Sequence, residues 1–364
     1  MAQIDTYVEK LNLDDTDQLV LQETSAGLTK KVLFSSLKSS LDEKINYVGV
    51  LRQAIINGNM DISQENGTTL TALSSGDYIV DMFQVMFGGA MAFSGQQNDE
   101  VPNTDSQYSC RLSCTTIDSS IAAGDYAYIR TFIEGYNFRP YVGKTATLSF
   151  WVKADKVGVY CISFRNSGFD RSYVTEYTIN NSDTWEKKSI TLDFDYTGGT
   201  WDYTNSYGLS ISWILACGST YQTTADTWQA GNYFATSNQV NACDSVANNF
   251  RISQVQLNEG DVELPISLED YGTTLSKCQR YYEEIETRYR GFATAANQLA
   301  YYEAWYKVEK RDIPSVSVVF GGGITWSNIN NDNISTSRFH RQLVSSGVDL
   351  NGYYYATNYI DARF

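Results

Sequence analysis

The chain has 364 residues, 42% of them hydrophobic, with a formal net charge of -15, 27 Tyr, 7 Trp, 26 Gly and only 4 Pro. That length calls for two or three folded units, and the acidity argues against a nucleic-acid partner, since no basic stripe is present to neutralise phosphates. One histidine (His340) and six cysteines without a CxxC pair argue against a zinc cluster or a histidine-based triad, and no window is apolar for long enough to insert into a membrane.

Residues 1–36 pattern as a small N-terminal piece. Leu19-Val20-Leu21 and Val32-Leu33-Phe34 flank a Ser25-Ala26-Gly27 turn, so a hairpin is expected, too small to own a core. Neither a basic nor an apolar leader pattern opens the chain, so export by an ordinary signal peptide is not expected. Over residues 37–58, Leu37, Leu41, Ile45, Val48, Leu51 and Ile55 recur at helical spacing behind Ser35 or Ser36 as cap. That stripe needs a partner, either a short parallel coiled coil or the face of the next domain.

From 59 to 263 the texture is β. Ala146, Leu148, Phe150 and Val152 alternate with polar residues and Trp151, as do Leu209, Ile211, Trp213 and Leu215 with Ser210 and Ser212. In 250–257 the apolar parity slips between Ile252 and Val255, which predicts a β-bulge near Ser253-Gln254. Turns are expected at 74–77, 88–89, 180–183 and 198–199. Together these call for a two-sheet β-sandwich of jelly-roll type. The cysteines are expected as free, buried thiols of a protein made in a reducing cytosol.

Residues 264–364 read as a third, β-rich unit. Lys277–Arg290 is expected as a strand with a turn; Leu299–Val308 is dense in aromatics; Ile313–Phe320 alternates as a strand with Pro314 near its start. The segment 321–335, GGGITWSNINNDNIS, reads as a polar loop.

The order of these pieces, with Cys278-Gln279-Arg280-Tyr281-Tyr282-Glu283 opening the last unit, an Ile313-Pro314-Ser315-Val316 strand and the ending Tyr359-Ile360-Asp361-Ala362-Arg363-Phe364, resembles the fibre and receptor-binding proteins of tailed bacteriophages. The resemblance implies a mainly β protein. Its parts would be an N-terminal virion-attachment segment (1–36), a helix or short coiled coil (37–58), a jelly-roll carbohydrate-binding-like domain (59–263) and a C-terminal β tip domain (264–364). It implies a homotrimer located in the virion tail and assembled in the bacterial host cytoplasm. The expected partners are tail or portal-associated proteins at the N-terminal segment and a bacterial surface polysaccharide. The alternatives are a head fibre or adaptor without glycan binding, and a glycan-degrading tailspike. An enzyme is not expected: Asp193, Asp195, Asp202, Glu283 and Glu284 supply no pair that the sequence places across a cleft. No cofactor is called for, although jelly-roll sugar-binding modules commonly hold a structural calcium; Asp61, Asp81 and Asp244 are conceivable ligands without a loop signature.

Sugar binding asks for an aromatic platform with amides or carboxylates beside it. Three clusters offer that mixture: Trp201 and Tyr203 with Asp202 and Asn205; Trp228 with Gln229 and Asn232; and Trp326 and Asn328 with Tyr353 and Tyr354. For each, packing into the fold is the competing role.

Overall fold

In the computed structural model the described residues are 18–22, 29–33 and 54–364, apart from 196, 324–325 and 348; for 18–22, 29–33, 320–323, 326–332 and 349–352 the backbone alone is described. The chain divides into two compact units, Met1–Arg52 and Gln53–Phe364. In the first, β1 (Gln18–Gln22) and β2 (Thr29–Leu33) pair antiparallel, the hairpin expected there. The helix expected over 37–58 lies outside the described residues as far as 53; residues 54–58 form a bend and turn instead, and Ile55 is buried in the sandwich core. Asn57, with φ of +60°, makes that turn and holds it by hydrogen bonds to Ile62.

The second unit starts with a β-sandwich. One sheet has seven strands, in order β14 (Trp228–Ala230), β11 (Arg171–Ile179), β10 (Gly158–Asn166), β13 (Tyr207–Cys217), β8 (Tyr126–Glu134), β5 (Phe83–Gly88) and β4 (Tyr78–Val80). The other has six: β12 (Glu186–Asp193), β9 (Thr145–Ala154), β15 (Asn249–Glu259), β7 (Ser109–Thr116), β6 (Ala92–Asn98) and β3 (Thr71–Leu73). All these ladders are antiparallel. Alternation sends Ala146, Leu148, Phe150 and Val152 from one sheet against Leu209, Ile211 and Trp213 of the other, and they share one core. Trp213 meets Phe83 and Phe150 edge-on or tilted, with ring centroids 6.2 and 5.7 Å away.

The bulge is where the parity slip put it. Between β15 and β9 the register jumps from Ser253 to Gln256, and Gln254 adopts φ of +52°. The extra residue turns Val255 inward, where its N–H donates to the Gly58 carbonyl at 2.9 Å. A Cβ on Gly58 would sit 2.0 Å from the Val255 oxygen, so that approach requires glycine. All six cysteines are free and buried.

After the sandwich comes a helix, Tyr271–Gln279, which takes in the first three residues of the expected 277–290 strand with a turn; a turn and the strand from Tyr282 to Ala293 follow it as expected. Asp270 caps the helix, accepting from the Thr273 N–H at 3.0 Å, and Thr274, Cys278 and Gln279 face inward. The remaining chain forms a second, smaller sandwich of two three-stranded sheets. One is β16 (Tyr282–Ala293), β21 (Asp349–Asp361) and β18 (Ser315–Gly323); the other is β17 (Leu299–Trp305), β20 (Arg338–Ser345) and β19 (Trp326–Asp332). The stretch read as a polar loop therefore contains an edge strand, β19, paired with β20.

This tip is fastened to the large sandwich by polar and aromatic contacts. Buried Glu134 of β8 accepts from Arg280 at 2.8 Å and from the Tyr281 hydroxyl at 2.6 Å. Phe364 lies against Phe132, Tyr207 and Tyr281, with the Arg311 guanidinium 4.1 Å from its ring centre. Arg363 stacks over Tyr78 and Tyr282 while pairing with Glu65 and Asp361. Beneath them Lys310 and Glu283, both fully buried, pair at 2.8 Å.

Candidate functional site

The structure brings Trp201, Tyr203 and Trp228 to one end of the large sandwich, all half-buried against its core. Trp201 stacks on Phe138 (5.5 Å, 16°) and meets Trp228 edge-on at 5.8 Å. Its Nε1 donates to the Gly198 carbonyl at 2.9 Å, and that of Trp228 to the Asp193 carbonyl at 2.8 Å. Trp228 also lies against Tyr173 and Phe194. Burial, then nearby Asp195, raises the Tyr203 pKa. These rings close the end of the core, and both indole N–H groups are already engaged by backbone.

The outer face of the seven-stranded sheet is roofed by its own chain. Tyr221 stacks on Phe234 at 4.5 Å, and Phe234 covers Tyr126 and Tyr128. Under that roof the buried Arg165 guanidinium lies 4.5 Å from the Phe234 ring centre and donates to Asn232 and Ser212, both at 3.0 Å. Thus the polar and aromatic mixture around Asn232 is spent on folding.

The tip differs. In β17 the small residues Ala300 and Ala304 face the tip's core with Tyr302, which leaves Leu299, Tyr301, Glu303 and Trp305 outside. Trp305 is 60% exposed and Tyr301 58%. The antiparallel register sets each against a polar residue of β20: Tyr301 opposite Gln342, Glu303 opposite His340, Trp305 opposite Arg338. The Arg338 guanidinium lies 4.9 Å from the Trp305 ring centre and pairs at 2.5 Å with Glu303, which also holds His340 Nε2 at 2.9 Å. Gln342 Nε2 donates to the Tyr301 hydroxyl at 2.7 Å. The result is a flat face with two exposed rings, roughly 14 Å apart along an extended strand, and a hydrogen-bonding row beside them. Each polar side chain is already oriented by a neighbour.

On the tip's other outer face, Tyr353 is 43% exposed on β21 beside Arg290 of β16. Tyr354, proposed above as a sugar contact, is 1% exposed, and its hydroxyl accepts from buried Arg341 at 3.2 Å. It is a core residue, because neighbours in a strand point to opposite faces. Trp326 and Asn328 stand on β19 in register with Ser345 and Leu343; their side chains lie outside the described residues. Among the described residues no three His, Cys, Asp or Glu side chains gather as a metal site.

Trp305 and Tyr301 were missed in the sequence because LAYYEAWYKV reads as aromatic density. The usable signal was parity: Ala300, Tyr302 and Ala304 share one side of the strand, and Tyr301 and Trp305 share the other with Glu303.

No known family's sequence profile matches the chain, and no curated protein matches it in sequence. Solved structures similar to it include the enzymatically active domain of tailspike protein 4 of Bacteriophage CBA120, at 14% identity and TM-score 0.28, covering 52% of this chain and 22% of that one. A family 11 carbohydrate-binding module from Clostridium thermocellum, solved with a mixed-linked tetrasaccharide, gives 13% identity and TM-score 0.29, covering 53% of this chain and 97% of that one. The MgGH51 α-L-arabinofuranosidase gives 9% identity and TM-score 0.33, covering 64% of this chain and 30% of that one. The chain thus spans less than a third of the tailspike domain and of the arabinofuranosidase.

Proposed function

We propose that this chain is an adhesin, the tail-fibre or receptor-binding subunit of a tailed bacteriophage, and that it binds a bacterial surface polysaccharide through the outer face of its tip. One observation carries the reading. Trp305, 60% exposed, lies over Arg338, which pairs with Glu303; Glu303 also holds His340, and four residues along the strand Gln342 holds the Tyr301 hydroxyl. An exposed ring with pre-oriented polar neighbours suits the apolar face and the hydroxyls of a pyranose. A soluble acidic protein has no folding reason to leave Tyr301 and Trp305 uncovered on one strand.

In this reading the N-terminal hairpin attaches the chain to the virion, and the protein acts as a homotrimer. Several weak tip contacts per particle then add up through effective concentration. The test is binding of the fluorescently labelled chain to host cells and to receptor-less resistant cells, with purified host polysaccharide as competitor. Host-specific binding that the polysaccharide displaces is expected. Binding equal on both cell types, or none, would overturn the proposal in favour of a head fibre or adaptor.

A further inference from the structure

We propose a second, chemically distinct subsite on the opposite outer face of the tip, a groove for an acidic sugar residue; it rests on the adhesin reading. The groove, about 520 Å3, is lined by Arg288, Tyr289 and Arg290 of β16 and Tyr353, Tyr354 and Tyr355 of β21. The register places Arg288 directly opposite Tyr355 and Arg290 directly opposite Tyr353, so two Arg–Tyr rungs lie side by side, roughly 7 Å apart. The Arg288 guanidinium lies 5.7 Å from the Tyr355 ring centre.

The charge of this groove runs against that of the chain. In a protein of net charge -15, two arginines share one sheet face two residues apart. Arg288 has only an exposed, 3.6 Å pairing with Glu286, and among the described residues Arg290 pairs with no carboxylate. Further along the same face, Glu284 accepts from the Tyr282 hydroxyl, and Asp361 is engaged by Arg363. Two guanidinium forks with spare donors call for a planar anion, and a carboxylate matches them bidentately. Tyr353 and Tyr355 beside the forks offer rings for the apolar face of a pyranose. A hexuronate residue within an oligosaccharide satisfies both demands; a phosphate ester satisfies the first without using the rings.

The experiment is titration calorimetry of the full chain with an oligogalacturonate, with its carboxyl-reduced neutral counterpart and with a mannose phosphate. The partner variant is Arg288→Gln with Arg290→Gln, both exposed positions whose loss leaves the fold intact. The proposal expects uronate binding that weakens as salt rises, is at least 10-fold weaker for the neutral counterpart, and falls at least 10-fold in the double variant while Trp305→Ala leaves it unchanged. Equal binding of the neutral and acidic oligosaccharides, tighter binding of mannose phosphate, or an unaffected double variant would overturn it. Host-cell binding run alongside separates the two readings. If cells bind through Trp305 but uronate does not bind, only this subsite fails; if cells do not bind at all, the adhesin reading fails.

Discussion

The large sandwich and the tip are built from the same materials and use them in opposite ways. Both are antiparallel β-sandwiches rich in Tyr and Trp. In the large one the tryptophans are turned into packing: Trp213 sits in the core, and Trp201 and Trp228 close its end with their N–H groups bound to backbone carbonyls. Its seven-stranded sheet is roofed by Tyr221 and Phe234. In the tip, Ala300 and Ala304 of β17 share the interior with Phe339, Leu343 and Tyr354, while Tyr301 and Trp305 of the same strand stand outside. The contrast teaches that aromatic content identifies a binding face only after strand parity and N–H partners are known.

The comparison can be broken in several places. The largest effect is expected at the buried pair beneath the tip. Lys310→Met leaves the buried Glu283 without its cation, which should cost about 3–5 kcal/mol; adding Glu283→Leu should recover much of it. Denaturant unfolding checks this, and equal stability of the single and double variants would show that the pair does not hold the tip. Next, Trp305→Ala should weaken glycan binding by about 2 kcal/mol, roughly 30-fold, with little change in melting temperature. Trp201→Ala should do the reverse, lowering stability by about 2 kcal/mol, since the ring is half-buried and its loss costs less than a full core cavity. Binding that drops with Trp201 but not with Trp305 would invert the assignment of the two regions.

The smallest effect concerns pH. Burial raises the Glu186 pKa, but hydrogen bonds from Lys188 and from the Asn180 and Asn181 N–H groups outweigh it and bring the group to about 2, from an ordinary 4.5. A depressed folded value means the stabilisation is complete above about pH 4.5 and fades as pH falls towards 2. The melting temperatures of the wild type and Glu186→Gln should therefore differ at neutral pH and converge near pH 2. A constant gap across that range would contradict the assignment.

Much of this architecture was legible in the residues. Alternation placed Phe150 and Trp213 in one core, and the parity slip at Ser253-Gln254 located the bulge. Other features were hidden for physical reasons. The helix Tyr271–Gln279 contains Gly272 and two threonines, poor helix formers, and owes its start to the Asp270 cap. β19 was hidden because its sequence, WSNINND, shows no alternation of apolar and polar residues. Ile55 fitted a helical stripe yet packs from a turn, since spacing alone cannot exclude a single-residue coincidence. Tyr353 and Tyr354 looked equivalent until the strand sent them to opposite sides.

The most direct test of the central claim is a side-by-side measurement of host-cell binding and thermal stability for wild type, Trp305→Ala and Trp201→Ala. Loss of binding with an unchanged melt for Trp305→Ala, and a lowered melt with retained binding for Trp201→Ala, is the predicted result. Full host binding by a folded Trp305→Ala protein would contradict it.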